Sequence, residues 1–457
     1  MSFVQKDDIR HKFSLAMSKM YQAEVPLYKD LMDLVADVNK DTLASDPALK
    51  QHLINTGELD RIDLERHGAI RLGLPSELAM MRRLFAVMGM SPVGYYDLTP
   101  AGVPVHSTAF RATDSQSLQK SPFRVFCSLL RLELIDDDAL RQEATHTLNQ
   151  RQIFSDRVIE LIQKSEQDGG LDEKDSEEFV IEATKTFKWH DTSPISKALY
   201  DKLHNQHRLI ADIVGFRGPH INHLTPRTLD IDKVQVGMGE RGIPPKEIIE
   251  GPPRRTCPIL LRQTSFKALK ESISFTNADG SLDEGNHTAR FGEIEQRGIA
   301  LTTKGRALYD ELLNKARASL NTTPEKDPKA YYKALSDSFG EFPDDYKTIY
   351  EEGLGYFYYQ INDQKIDKEA PTDNPQELVK AGVLRLEPIV YEDFLPVSAA
   401  GIFQSNLGDD AKAGYDGLSS QAVFEEALGA KVFDECTLYQ AMMDKSLEDT
   451  LRQLKVE

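Results

Sequence analysis

Several common readings fail for want of material. The three cysteines, Cys127, Cys257 and Cys436, are odd in number and far apart in a chain of 457 residues. They build neither a disulfide framework nor a cysteine-rich zinc site, and they read as buried thiols in a reducing compartment. No window approaches the roughly 18 consecutive apolar residues of a membrane span. The polar start from Met1 to Arg10 has no signal-peptide core. A soluble cytoplasmic protein is the expectation. Basic charge is scarce too: 55 Lys and Arg against 73 Asp and Glu leave a formal net charge of -18. That excludes non-specific binding to nucleic acid or anionic membranes, and an anionic substrate would need a locally basic pocket. Gly68 and Gly73 do not form a phosphate loop, because no helix-opening G-x-G-x-x-G follows a strand. Gly251-Pro-Pro-Arg-Arg255 reads as a turn with solvated charges, and no Ser/His/Asp or Cys/His nucleophile motif stands out.

What is present is a repeated order of elements. After a helical preface, in which Ile9, Phe13, Met17 and Tyr21, then Leu27, Leu31 and Leu34 recur at helical spacing and Pro26 opens the second helix, the pattern changes. His67 to Leu74 reads as a strand, Pro75 to Met88 as a helix, and Pro92 to Leu98, Val103 to Arg111 and Phe123 to Leu134 as strands. The same βαβββ order returns as His220 to Leu224, the helix Leu229 to Met238, then Lys246 to Glu250, Pro258 to Phe266 and Thr288 to Leu301. The expectation is an α+β fold in which two βαβββ modules form one cupped mixed-sheet core with large helical insertions. The expected layout is a helical segment over 1–60, modules over 61–135 and 216–302, and helical insertions over 136–215 and 303–382. A strand segment over 383–410 returns to the core, and helices close the chain over 411–457.

The stretch Arg290-Phe-Gly-Glu-Ile-Glu-Gln-Arg-Gly298 places carboxylates inside a run that alternates like a buried strand. Strand side chains alternate with period two, so Glu293, Glu295 and Arg297 share a face. Two carboxylates in one concave sheet repel unless an arginine or a metal ion neutralises them. Arg290 or Arg297 would do so as an ion pair. Each module also opens its first strand with a histidine, His67 in one and His223 in the other. With Glu293 these make two imidazoles and one carboxylate, the donor set that holds Fe(II) on one face and leaves positions open for substrate and oxygen. Glu295 remains a second candidate, and each ligand histidine needs a partner for its other ring nitrogen. His220, three residues before His223, would point to the opposite face. His204 and His207 read as surface residues, and His106 either lines the cup or packs quietly. Arg71, four residues after His67 on one strand, projects into the same cup and could hold a carboxylate, unless it pairs with Glu77 or another acid.

With those residues named, the chain resembles the vicinal oxygen chelate superfamily, and more closely the 2-oxoadipate dioxygenase/decarboxylase family. The likeness rests on His67-Gly-Ala-Ile-Arg71, Gly102-Val-Pro-Val-His-Ser-Thr-Ala-Phe-Arg111, Ile221-Asn-His-Leu-Thr-Pro-Arg-Thr-Leu-Asp230, Phe291-Gly-Glu-Ile-Glu-Gln-Arg297 and Tyr391-Glu-Asp-Phe-Leu-Pro-Val-Ser398. The resemblance implies Fe(II) on His67, His223 and Glu293, a substrate arginine at Arg71, and a Val-Ser pair beside the substrate at Val397 and Ser398. It chooses Glu293 over Glu295. It further implies that a 2-oxo dicarboxylic acid, 2-oxoadipate, reacts with O2 to give 2-hydroxyglutarate and CO2, a step of lysine degradation. Two other readings stay open: a Zn or Ni glyoxalase-like lyase or isomerase, for which Glu295 or His106 would supply a fourth ligand, and a metal-stabilised binding protein without catalysis.

Overall fold

The computed structural model describes residues 2–320, 323–362, 374–395 and 420–456. Strands β1 (Arg66–Leu72), β2 (Ser91–Asp97), β3 (Val105–Arg111) and β4 (Phe123–Leu130) belong to the first half. The chain continues through the two-residue β5 (Thr192–Ser193), β6 (His223–Pro226), β7 (Leu261–Ser265), β8 (Lys270–Thr276), β9 (Leu282–Thr288), β10 (Glu293–Arg297), β11 (Phe357–Ile361) and β12 (Leu384–Pro388). The main sheet runs β2-β3-β4-β1-β6. Within it β1 is parallel to β4, and β6 joins β1 antiparallel through pairs such as Gly68 with Leu224. Past β6 the cup continues through a parallel bridge of Arg227 with Glu295 to β10, which pairs antiparallel with β7. Each half therefore sets its first strand parallel to its last, and the halves meet at β1 and β6.

β1 is buried on both faces, and its side chains alternate between two cores as the period of a strand requires. Ile70 and Leu72 join the core packed by the N-terminal helices, with Phe13, Met17 and Leu31, while Ala69 joins the core on the other side. His67 and Arg71 have the parity of Ala69, so the sheet presents them to the cup. Each large aliphatic side chain buried on the helix side contributes about 1.5–3 kcal/mol, which fixes the register and hence the face of His67. The first helix, Lys6–Glu24, also reaches the site. Tyr21 Oη lies 2.9 Å from the carbonyl of Asn222 and 2.7 Å from that of Phe291, one residue before His223 and two before Glu293.

The second half departs from expectation. The strand expected over His220 to Leu224 begins only at His223, and His220 lies in the loop before it. Lys246 to Glu250 forms no strand; Pro245 and Glu250 make single bridges to Phe266 and Gln263. The run Thr288 to Leu301 divides: Thr288 ends β9, and β10 holds only Glu293–Arg297. Between β7 and β10 stands the hairpin β8–β9, which the sequence reading missed. In the first half, β4 stops at Leu130 and Leu132–Leu134 is a 3-10 turn. Within the expected helical insertion over 136–215, the helix Lys197–Gln206 ends at His207, whose Nδ1 accepts from Leu209 N to cap the helix Arg208–Val214.

Candidate metal centre

His67, His223 and Glu293 come together at the junction of β1, β6 and β10, all buried, each offering a ligand atom within 4.8 Å of the others. His67 Nε2 lies 3.1 Å and His223 Nε2 3.7 Å from Glu293 Oε1. The imidazoles stand edge to face with centroids 5.5 Å apart. Phe394 packs on His67 at 4.9 Å and Phe291 on His223 at 5.0 Å, giving the centre apolar walls. At Gly68, beside His67, a Cβ would come within 2.4 Å of Ile221 Cδ1. A side chain there would force Ile221, in the loop leading to His223, to shift.

Glu293 Oε1 accepts from Thr225 Oγ1 at 3.0 Å and from Gln263 Nε2 at 3.2 Å. Glu293 Oε2 and both ring nitrogens of His223, by contrast, have no hydrogen-bond partner among the described residues. Buried polar atoms left this way cost free energy and ask for an ion or another partner. The donor set therefore fits a divalent transition metal. Electrostatics agree: burial, with His67 and Arg71 beside it, holds His223 well below the usual imidazole range, so it is neutral. Burial, against the pull of His67, raises Glu293 above the usual carboxylate range.

Glu295 and Glu293 share a face but not a role. Arg297 grips Glu295 with Nε to Oε1 at 2.7 Å and Nη2 to Oε2 at 3.0 Å. Despite burial, which acts the other way, Arg297 and His67 bring Glu295 down to about 2. Its Oε2 lies 3.1 Å from His67 Nδ1, an ion-pair distance without an aligned hydrogen bond. Glu295 thus stands behind the ring of His67, where a histidine that held a metal would need a partner. Arg297 also reaches Glu65, on which Arg124 and Arg227 converge. Arg290, the other arginine expected to neutralise this strand, instead binds Glu24 and Glu271 and covers the Trp189 ring at 4.3 Å.

Arg71 pairs with Asp212, Nη1 to Oδ2 at 2.5 Å, rather than with Glu77, which binds Arg151. It lines a cavity of about 380 Å³ with Tyr200, Arg208, Asp212, His287 and Phe291. The cavity borders the trio through Arg71, on the His67 strand, and through Phe291, on His223. Arg208, an exposed residue at the edge of this cavity, makes no ion pair among the described residues. A second cavity, of about 420 Å³, is lined by Arg227, Arg262 and Gln296 and contains none of the trio His67, His223 and Glu293. Val397 and Ser398 lie outside the described residues.

The remaining histidines divide cleanly. His204 is exposed. His106 packs against Tyr95 and Phe424, at centroid distances of 6.0 and 4.7 Å, and takes no part in the trio. Burial, with Arg131 nearby, pushes it down to about 4. An unfolded imidazole titrates near 6.5, so between these values the unfolded chain takes up a proton that the folded one refuses. Stability should therefore be full above pH ~6.5 and fall by about 2–3 kcal/mol towards pH ~4.5 from this group alone. Urea unfolding of His106→Gln at pH 7.5 and 4.5 should show a shallower loss than the unaltered chain. The sequence reading missed the cluster of Asp212, His220 and His287 beside Arg71, all buried and within 4.8 Å.

The model of the 2-oxoadipate dioxygenase/decarboxylase family matches residues 13–406. The 2-oxoadipate dioxygenase/decarboxylase of Pseudomonas putida is 56% identical over 99% of this chain and 98% of its own length. That of Escherichia coli is 53% identical over 97% and 98%. The crystal structure of the Pseudomonas putida hydroxyglutarate synthase in complex with 2-oxoadipate superposes with a TM-score of 0.92 at 53% identity, covering 100% of both chains. No described helix is long and apolar enough to cross a membrane.

Proposed function

Since the chain belongs to the 2-oxoadipate dioxygenase/decarboxylase family, we propose that it converts 2-oxoadipate and O2 to 2-hydroxyglutarate and CO2 in the cytoplasm, with Fe(II) held by His67, His223 and Glu293. The observation that carries this reading is the buried trio with its partnerless atoms on His223 and Glu293. Iron(II), when bound, supplies electrons for O2 and a Lewis-acidic face for a 2-oxo acid. Both atoms of O2 are retained: C1 leaves as CO2, the keto carbon becomes the new carboxylate, and the next carbon gains a hydroxyl.

The chain's own residues give that chemistry its direction. Arg71 receives the distal carboxylate, and the unpaired Arg208 at the same cavity adds the positive potential that a chain of net charge -18 otherwise lacks. Phe291 and Phe394 keep water from the ligands, which strengthens each electrostatic contact there. Glu295, fixed by Arg297, orients His67. Because the oxo acid and the carbon to be hydroxylated belong to one molecule, holding both ends fixes their geometry and dispenses with a second oxo acid. The glyoxalase-like alternative lacks support in its proposed fourth ligands: Glu295 is committed to Arg297, and His106 lies between Tyr95 and Phe424.

The test is oxygen uptake by the Fe(II)-loaded protein with 2-oxoadipate, with products identified by mass spectrometry. One O2 consumed per 2-hydroxyglutarate and CO2 formed is the expected result. Iron bound with no oxygen uptake would overturn the reading.

A further inference from the structure

Behind Arg71 lies a buried unit that the reading above does not use. Asp212 Oδ1 lies 2.8 Å from His287 Nε2 and 3.3 Å from His220 Nε2, while its Oδ2 accepts from Arg71. His287 Nδ1 lies 2.6 Å from Tyr200 Oη. The four linked side chains come from four elements: Arg71 from β1, Tyr200 from the helix Lys197–Gln206, Asp212 from the helix Arg208–Val214 and His287 from β9.

Two histidines and a carboxylate invite comparison with the metal trio, but the protons argue otherwise. Tyr200 Oη has one hydrogen, and its donation to His287 Nδ1 leaves the imidazole proton on Nε2, aimed at Asp212. A nitrogen carrying a proton is no ligand. The Arg71 guanidinium on the other oxygen of Asp212 would also repel a cation. Asp212 remains ionised: burial works against its charge, but Arg71 and His220 outweigh it and hold the carboxyl well below its ordinary range.

We propose that Tyr200, His287 and Asp212 form a positioning relay that fixes the Arg71 guanidinium for the distal carboxylate, and so determines the preference for a 2-oxo dicarboxylate over a 2-oxo monocarboxylate. This rests on the reading of Arg71 given above. An arginine side chain has many rotamers, and an anion that must first order it binds more weakly. Asp212 sets the direction of the guanidinium, His287 sets the direction of Asp212, and Tyr200 sets the tautomer of His287. All three are positioning residues.

The experiment compares 2-oxoadipate with 2-oxohexanoate, equal in length but lacking the distal carboxylate, using the iron-loaded protein. For Tyr200→Phe, KM for 2-oxoadipate should rise about fivefold, the effect of one lost neutral hydrogen bond. For Asp212→Asn it should rise about a hundredfold, as for a lost charge pair. For both variants, kcat should change by less than about threefold, the ordinary scatter of such effects, and the inhibition constant of 2-oxohexanoate and the iron content should stay as in the unaltered chain. Equal weakening towards both acids would overturn the relay by showing a general structural role, and so would an unchanged KM in both variants. A second metal ion per chain that His287→Ala removes would overturn it in favour of a metal site. An unaltered protein that binds both acids equally well would instead overturn the Arg71 reading, and this inference with it.

Discussion

Glu293→Gln should abolish oxygen consumption, with turnover down by about a thousandfold or more and metal content near background. Loss of a group that only orients a ligand costs about 10–100-fold, and a direct ligand costs more. Glutamine has the same shape, so the substitution tests charge and donor character rather than packing. In the metal-free chain Glu293 is a buried carboxylate that burial pushes towards protonation, so a neutral amide there should leave the melting temperature without metal unchanged or higher. What should vanish is the rise in melting temperature on adding Fe(II), since an ion stabilises only the state that binds it. Glu295→Gln provides the contrast. It unbalances Arg297 and loosens His67, so metal binding should weaken by about 10–100-fold without disappearing. Equal loss of metal in the two variants would show that both carboxylates are ligands. Metal analysis and thermal melts with and without iron separate these outcomes.

The first half of the fold was legible because Gly and Pro residues punctuate short runs of apolar residues: β1, the helix Pro75–Val87, β2 and β3 lie within two residues of expectation. In the second half the signal fails for identifiable reasons. β9 reads Leu-Asp-Glu-Gly-Asn-His-Thr and is mostly exposed, so it carries no hydrophobic period, although Asp279-Gly280 before it is a turn signal. The trio could be assembled because a histidine opened each half and a carboxylate interrupted an apolar strand. The same argument, carried further, would have found Asp212. It stands alone in Leu209-Ile-Ala-Asp-Ile-Val214, a run buried from end to end, and a carboxylate there also demands a cation. That cation is Arg71, 141 residues away in sequence. His220 was assigned to a strand face, whereas its place in a loop turns it towards Asp212.

The Arg71–Asp212 pair allows substrate recognition and stability to be measured apart. Arg71→Met should raise KM for 2-oxoadipate by about 10²–10³-fold, the usual effect of removing one side of a buried, hydrogen-bonded charge pair. Binding of 2-oxohexanoate should be spared. The same substitution strands the Asp212 carboxylate in a buried setting, so the fold should lose about 3–5 kcal/mol in urea unfolding. Arg71→Met combined with Asp212→Asn removes both charges. It should recover most of the stability, because no buried charge is left without a partner, yet recover none of the affinity for 2-oxoadipate. A double variant that regains both would mean that Arg71 serves only to neutralise Asp212 and that the distal carboxylate is held elsewhere, with Arg208 in the same cavity as the next residue to replace. One that regains neither would mean that the guanidinium packs the cup independently of its charge. Only recovery of stability without recovery of binding assigns Arg71 two separable tasks, closing a buried ion pair on one side and receiving a dicarboxylate on the other.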